Sequence, residues 1–241
     1  MAHDAARDKL IVALDFPDPE DAHAFTVRLG DAVTFYKIGL ELAMSGGLDL
    51  ARELADTGRK VFLDMKLLDI ENTVERAVRA AARTGATFLT VHGQDGKTLR
   101  AAAAGKAGTH LKILAVTVLT NLDAADLVEQ GIAGDPADVV VARARLAQLA
   151  GCEGVVASGQ EAQAIRAAVG AGMVLVTPGI RTAGGAAGDQ ARVMTPQAAI
   201  SAGADYLVVG RPITQASDPR YAAEQFVAAI GAALDGRAGR G

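Results

Sequence analysis

The feature of this chain that most constrains its fold is the alternation of short apolar runs with alanine-rich segments. Eight runs are rich in β-branched and other apolar residues, and they lie at 9–15, 34–40, 60–66, 87–93, 112–118, 153–158, 173–179 and 205–211. Segments with the apolar spacing of helices follow them, at 19–30, 46–58, 72–84, 96–106, 123–130, 136–150, 159–169, 195–202 and 219–234. Strands and helices that alternate at roughly 25–30-residue intervals are typical of parallel βα units.

The composition of the runs and the boundaries of the helical segments favour one architecture. Most runs contain adjacent apolar residues, which suits strands that are buried on both faces. Asp18 before Pro19 and Thr195 before Pro196 are typical helix starts, and no linker or change of composition divides the chain. We therefore predict an α/β protein with a single (β/α)8 TIM barrel. The alternative is a doubly wound open sheet, which usually has fewer strands and a glycine-rich fingerprint after its first strand.

The predicted barrel occupies residues 9–234 of the 241-residue chain, a length that suits one large domain. Residues 1–8 are interpreted as an N-terminal extension. Residues 235–241, with the sequence DGRAGRG, are interpreted as a disordered tail.

Charge and composition exclude several classes of function. The formal net charge is −4 and no basic block occurs, so no nucleic-acid partner and no anionic membrane partner are expected. No apolar run reaches the roughly 18 residues of a membrane helix. The single cysteine, Cys152, fits a reducing compartment, and we expect a cytoplasmic protein. No set of histidine, cysteine and aspartate residues has zinc spacing, so no metal is expected.

Charged residues stand where the first three predicted strands end, which is the side of a TIM barrel that carries active sites. Asp64, Lys66 and Asp69 form the pattern D-x-K-x-x-D, and Asp15 and Lys37 end the two preceding runs. Residues two apart in a strand share a face, so Asp64 and Lys66 are expected to point into the barrel mouth. An ammonium held between carboxylates can stabilise a carbanion and then protonate it. The alternative is a structural ion pair at the barrel rim.

Two further segments are candidates for ligand contacts. The glycine- and alanine-rich stretch within 176–196 is interpreted as a mobile lid, and a plain flexible loop is the alternative. Gly210 and Arg211 follow the eighth run, where barrels of this fold often bind phosphate; a surface salt bridge is the alternative. His92 ends the fourth run, and it either lines the site or is a hydrogen-bonded core histidine.

Several motifs taken together resemble one known family. They are LDF at 14–16, YKIGLEL at 36–42, FLDMKLLDIENTV at 62–74, AVTVLT at 115–120, VTPGIR at 176–181, DQARVMTP at 189–196 and YLVVGRPI at 206–213. In this order and spacing, from about residue 9 to residue 230, the chain resembles the orotidine 5′-phosphate decarboxylases of the bacterial type, within the ribulose-phosphate-binding barrel superfamily.

The resemblance implies a reaction and a set of site residues. Orotidine 5′-monophosphate would lose CO2 to give UMP, the last step of de novo pyrimidine nucleotide synthesis, without metal or organic cofactor. Lys66 would stabilise and protonate a carbanion at C6, and Asp64 would lie near the leaving carboxylate. The implied catalytic residues are Lys66, Asp64, Asp69 and Lys37. The implied substrate-binding residues are Asp15, Lys37, Ile70, Thr73, Thr120, Arg181, Gln190, Gly210 and Arg211.

The resemblance also implies a homodimer in which Asp69, Ile70 and Thr73 reach into the partner's site. One position departs from the family pattern, because Glu71 stands where the family usually has proline. Both residue types suit the first turn of a helix, so we expect the change to be tolerated.

Two other functions are compatible with parts of the pattern. A metal-dependent sugar-phosphate decarboxylase or aldolase would share D-x-K-x-x-D, but the resemblance to that class implies an acidic residue at the position of Lys37. A non-catalytic phosphate binder could use the same fold, since fold alone does not determine function.

Overall fold

The structure, a computed structural model, describes residues 2–182 and 193–238. Eight parallel strands in these residues close into a barrel in chain order, with β8 hydrogen-bonded to β1. The strands are β1 Leu10–Leu14, β2 Phe35–Ile38, β3 Lys60–Leu67, β4 Phe88–His92, β5 Lys112–Val116, β6 Gly154–Val156, β7 Val174–Thr177 and β8 Tyr206–Val209. The predicted (β/α)8 barrel is confirmed, and the closed order excludes the open sheet.

Helices surround the barrel. Most overlap the predicted segments, and those at 2–7, 40–42 and 211–214 were not predicted. They are α1 Ala2–Arg7, α2 Pro19–Leu29, α3 Leu40–Leu42, α4 Leu48–Asp56, α5 Glu71–Ala82, α6 Gly96–Gly105, α7 Ala124–Glu129, α8 Pro136–Leu149, α9 Ala162–Val169, α10 Pro196–Ala202, α11 Arg211–Thr214 and α12 Pro219–Ala238. The predicted start of α2 is confirmed, because the Asp18 carboxylate accepts a hydrogen bond from the Glu20 N–H. Thr195 caps α10 in the same way through the Ala198 N–H.

The second βα connection is longer than the sequence indicated. The helical segment predicted at 46–58 begins at Leu48, and α3 and a π-helical turn at Ala43–Gly47 precede it. Gly46 has φ 100°, a left-handed conformation that glycine adopts without steric cost, and it kinks the chain within this turn.

Alternation along the strands divides the core into two layers. Leu10, Val12 and Leu14 face the helices, where they join the large aliphatic cluster. Ile11 and Ala13 face the barrel interior. Each face of the barrel strands is therefore covered, which explains why the runs lack a simple polar and apolar alternation.

Aromatic rings fill the end of the barrel where the strands begin. Phe35, Phe62, Phe88 and Tyr206 form this floor, with ring centroids 5.2–6.0 Å apart. Three of these residues begin their strands, and the phenylalanines are almost completely buried. Because bulky rings close one end, the opposite end is left for polar side chains.

The ends of the chain differ from the prediction. The helix α12 continues through Ala238, so the disordered tail predicted for 235–241 is wrong for its first four residues, while 239–241 lie outside the described residues. Helix propagation adds one hydrogen bond per residue, and Arg237 in the last turn suits the negative end of the helix dipole. Within the extension at 1–8, α1 lies against α12 and buries Ala6.

Candidate active site

An alternating chain of charges lies where β1, β2 and β3 end. The Lys37 Nζ is 3.0 Å from an Asp15 oxygen and 3.7 Å from an Asp64 oxygen. The Lys66 Nζ is 2.8 Å from the same Asp64 oxygen. The structure thus brings these four sequence-predicted residues together in the order anion, cation, anion, cation.

The centre of this chain of charges is shielded from water. The side chains of Lys37 and Asp64 are only 11% and 16% exposed, whereas Asp15 at the rim is 61% exposed. Burial alone would raise the pKa of Asp64, but the ammonium groups of Lys37 and Lys66 and a hydrogen bond from Thr90 together hold the pKa below its ordinary value. Asp64 is therefore a carboxylate at neutral pH.

The backbone at Lys66 departs from the regular strand that the sequence indicated. Its φ is 49°, the one positive φ among the described non-glycine residues, and the pairing of β3 with β4 shifts register between Leu63 and Leu67. Such a conformation costs about 1–3 kcal/mol and is kept only where the surroundings enforce it. The Lys66 N–H donates instead to the Thr90 hydroxyl at 2.9 Å.

A narrow cavity of about 220 Å³ opens beside the charges. Lys37, Asp64 and Lys66 form its polar wall. Its other walls are mainly apolar, and the remaining lining residues are Phe62, Val116, Val118, Leu119, Thr120, Asn121, Val156, Pro178 and Val208. A cavity with one charged edge and apolar walls suits a flat ring that carries its reacting group at that edge.

A second cavity of about 200 Å³ adjoins the first, and Lys37 lines both. Asp15, Arg181, Gly210 and Arg211 also line it. The guanidinium groups of Arg181 and Arg211 lie near one another in this cavity. Burial and the positive charge of Arg211 lower the pKa of Arg181. Two neighbouring guanidinium groups form a site for an anion with several oxygens.

The predicted lid lies mostly outside the described residues, and Gln190 is among those not described. The residues on either side of it meet in a short bridge between Ile180 and Met194. The Arg181 N–H donates to the Met194 carbonyl, and the Met194 N–H donates to the Gly179 carbonyl. This bridge holds the backbone of Arg181 beside the second cavity.

Three predicted residues line neither of these two cavities. Asp69, Ile70 and Thr73 lie exposed on the rim after β3, and the Ile70 side chain is 73% exposed. The Asp69 carboxylate accepts a hydrogen bond from the Ile70 N–H at 2.7 Å. Glu71 is the first residue of α5, which is the position where a proline is also favourable.

Thr90 is a residue of the site that no sequence pattern predicted. Thr90 is fully buried in the middle of β4, and its hydroxyl contacts both Asp64 and the backbone of Lys66. The signal that the sequence offered was a polar residue between the apolar residues Leu89 and Val91.

His92 is half-buried at the end of β4, and its pKa is lowered by burial, by Lys66 and by Arg143. His92 is therefore neutral at pH 7.

The described residues contain no group of three or more histidine, cysteine or carboxylate side chains that could hold a metal ion. Among the same residues, no helix combines the length and hydropathy that a membrane crossing requires.

The fold and the site define a (β/α)8-barrel protein with a charged, two-part cavity at the C-terminal ends of its strands. Residues 8–226 match the model of the orotidine 5′-phosphate decarboxylase / HUMPS family, and the chain belongs to this family. An orotidine 5′-phosphate decarboxylase of Rhodopseudomonas palustris strain BisA53 is 57% identical over 92% of this chain and 94% of its own length. A relative of the same name from Methylorubrum extorquens strain PA1 is also 57% identical, over 92% and 95% of the two chains.

A solved structure leads to the same family. The crystal structure of orotidine 5′-phosphate decarboxylase from Lactobacillus acidophilus superposes with a TM-score of 0.82 and 36% sequence identity. The similarity covers 92% of this chain and 98% of that chain.

The lowered pKa of Asp64 predicts how stability depends on pH. A carboxylate whose folded pKa lies below its ordinary value of 3.8 stabilises the fold above that pH, and this contribution is lost as the pH falls through the folded pKa. The difference in unfolding free energy between the wild type and Asp64→Asn should therefore be largest above pH 4 and shrink as the pH falls. Urea unfolding at a series of pH values measures it.

Asp49→Asn is the control, because the Asp49 side chain is 90% exposed and pairs with Arg52 one turn away. This variant should follow the wild type at every pH. A difference for Asp64→Asn that stays constant down to the lowest pH would contradict the role assigned to the two lysines.

Proposed function

We propose that this chain decarboxylates orotidine 5′-monophosphate to UMP and CO2, the last step of de novo pyrimidine nucleotide synthesis. The observation that carries the proposal is the chain of charges from Asp15 to Lys66 beside an apolar cavity. Relatives named for this activity are 57% identical over nearly the whole length.

Lys66 is the proton donor in the proposed mechanism. The bond between C6 and the carboxylate breaks, CO2 leaves, and the electron pair of that bond stays on C6. The Lys66 ammonium stabilises the pair as it forms and transfers a proton to C6, which gives UMP and a neutral amine that is reprotonated from water. Because Asp64 fixes the ammonium at 2.8 Å before substrate arrives, little reorganisation is needed during the reaction.

Asp64 also acts on the substrate in this proposal. Its charge lies on the edge of the cavity where the carboxylate of the substrate would be held. Two anions in a partly dry site repel one another, and the repulsion ends when the substrate carboxylate leaves as neutral CO2.

The two cavities suit the two halves of a nucleotide. The pyrimidine would occupy the narrow cavity with Thr120 at its wall, and Asp15 and Lys37 would contact the ribose between the cavities. Arg181, Gly210 and Arg211 would surround the phosphate together with Gln190. Phosphate binding takes place far from the breaking bond, so its energy can hold the ring against the charges.

We further propose that the active form is a cytoplasmic homodimer. Exposed apolar side chains follow β2 and β3 around the mouth, and they are Leu40, Met44, Leu48, Leu68 and Ile70. Apolar groups concentrated on one rim are typical of a surface that another chain covers. In a two-fold dimer each rim covers the other, so Asp69 and Thr73 would enter the partner's site.

The second candidate is a metal-dependent sugar-phosphate enzyme on the same barrel, since the family to which the chain belongs also contains the HUMPS branch. The position of Lys37 favours the decarboxylase. Its ammonium lies between Asp15 and Asp64, where a metal-dependent enzyme would hold its cation.

Turnover of orotidine 5′-monophosphate in EDTA tests the proposal, with the loss of its ultraviolet absorbance as the signal. The wild type should be active, and Lys66→Ala should lose at least about 10³-fold in kcat because the proton donor and the fixed cation are both removed. Lys112→Ala is the matched control, since Lys112 is exposed where β5 begins, at the opposite end of the barrel. Activity that requires magnesium would favour the second candidate, and no turnover would reject the decarboxylase.

Mixed dimers test whether Asp69 acts across the interface. Lys66→Ala and Asp69→Ala should each be inactive alone, but a mixed dimer contains one site with an intact Lys66 and the partner's intact Asp69. Half of the dimers in an equal mixture are mixed, so activity should recover to about one quarter of the wild type. Activity of the co-expressed and purified mixture measures this. No recovery would show that Asp69 serves its own chain.

A further inference from the structure

We propose that Thr90 is a positioning residue that sets the geometry of Asp64 and Lys66 through one buried hydroxyl group. The inference rests on the catalytic roles proposed for these two residues. Thr90 is fully buried in β4, and its Oγ1 accepts a hydrogen bond from the Lys66 N–H and donates one to Asp64 Oδ1, both at 2.9 Å.

The chemistry of the hydroxyl group fixes these two roles. A threonine hydroxyl has one proton to donate, and a carboxylate only accepts, so the proton points to Asp64. The oxygen lone pair then remains for the Lys66 N–H. One group therefore ties a catalytic carboxylate to the backbone that carries the proton donor.

The contact with Lys66 replaces a hydrogen bond that the barrel does not supply. The pairing of β3 with β4 is shifted between Leu63 and Leu67, and Lys66 has the left-handed φ of 49°. A backbone N–H at such an irregularity needs a partner from a side chain or from water. Thr90 provides that partner from the neighbouring strand, which holds Lys66 in a conformation that would otherwise relax.

The contact with Asp64 determines which oxygen faces the lysines. Asp64 Oδ1 receives the Thr90 proton, while Oδ2 lies 2.8 Å from the Lys66 Nζ and 3.7 Å from the Lys37 Nζ. Without the hydroxyl group, only the lysine contacts at Oδ2 restrain the carboxylate, and it can turn further about its last side-chain bond. The ammonium of Lys66 would then lose the fixed position from which it reaches C6.

Thr90 is absent from the lining of both cavities, so it acts through its two neighbours and not on the substrate. A purely structural threonine would contribute to folding without affecting the chemistry of each folded molecule. Thr177 offers the matched comparison, because it is fully buried at the end of β7 and its hydroxyl has no hydrogen-bond partner among the described residues.

The test compares Thr90→Val, Thr90→Ser and Thr177→Val for kcat with orotidine 5′-monophosphate, for the Kd of UMP and for the pH dependence of kcat. Thr90→Val keeps the shape and removes the hydroxyl group, and kcat per folded site should fall about 10²-fold, the loss expected for a misplacement near 1 Å. The Kd of UMP should change less than about threefold, since the phosphate contacts remain. Thr90→Ser should recover most of kcat, and Thr177→Val should match the wild type.

The pH dependence of kcat on its acid side distinguishes a positioning role of Thr90 from a purely structural one, because a purely structural role would leave it unchanged. Thr90→Val removes a hydrogen bond to the charged form of Asp64, so the acid limb should move to higher pH. If Thr90→Val does not fold, Thr90→Ala is measured against Thr177→Ala in the same way. A Thr90→Val kcat equal to that of Thr177→Val, or no rescue by serine, would overturn the inference.

The outcome is distinguishable from a failure of the proposed function. If the wild type does not turn over orotidine 5′-monophosphate, the proposed function fails. The inference about geometry is then tested by the acid midpoint, which is the pH at which the protein is half unfolded at a fixed urea concentration. This pH should be higher in Thr90→Val than in the wild type and unchanged in Thr177→Val. An acid midpoint of Thr90→Val equal to that of the wild type would overturn the inference.

Discussion

The site depends on the burial of one carboxylate, Asp64, between two ammonium groups. A buried carboxylate alone would be neutralised, and the nearly buried Lys37 would carry the same cost without a partner. The positive charges of Lys37 and Lys66 offset the cost of burying the Asp64 carboxylate and hold its pKa below its ordinary value. The charges are therefore fixed in place before any ligand binds, and the contacts that stabilise the mouth are those that the proposed chemistry uses.

The barrel brings these groups together from strands that neighbour one another. Register pairs Ala13 with Lys37 and Lys37 with Phe62, so the polar ends of β1, β2 and β3 lie side by side. The aromatic floor closes the opposite end. Close packing also limits what can follow β2, because a Cβ at Gly39 would lie 2.9 Å from the Lys37 Nζ and 3.3 Å from an Asp15 oxygen. Glycine at this position leaves room for the ion pair.

The barrel and the charged mouth could be predicted because both depend on short-range patterns. Eight apolar runs fix the number of strands, and the C-terminal ends of parallel strands must share one face, so Asp64 and Lys66 were placed correctly beside each other. The bulge at Lys66 could not be predicted, because it depends on how β3 pairs with β4. For the same reason Thr90 was missed: its partners lie at a sequence separation that no local pattern encodes.

Hydrogen exchange at C6 of UMP tests the role of Lys66 most directly. If Lys66 gives its proton to C6 in the forward reaction, the neutral Lys66 amine must remove the same proton in the reverse direction. UMP incubated with the wild type in D2O should gain deuterium at C6, seen as loss of the H6 signal in NMR spectra. Lys66→Ala should bind UMP and show no exchange above the rate in buffer. Equal exchange in both proteins would contradict the assignment of Lys66 as the proton donor.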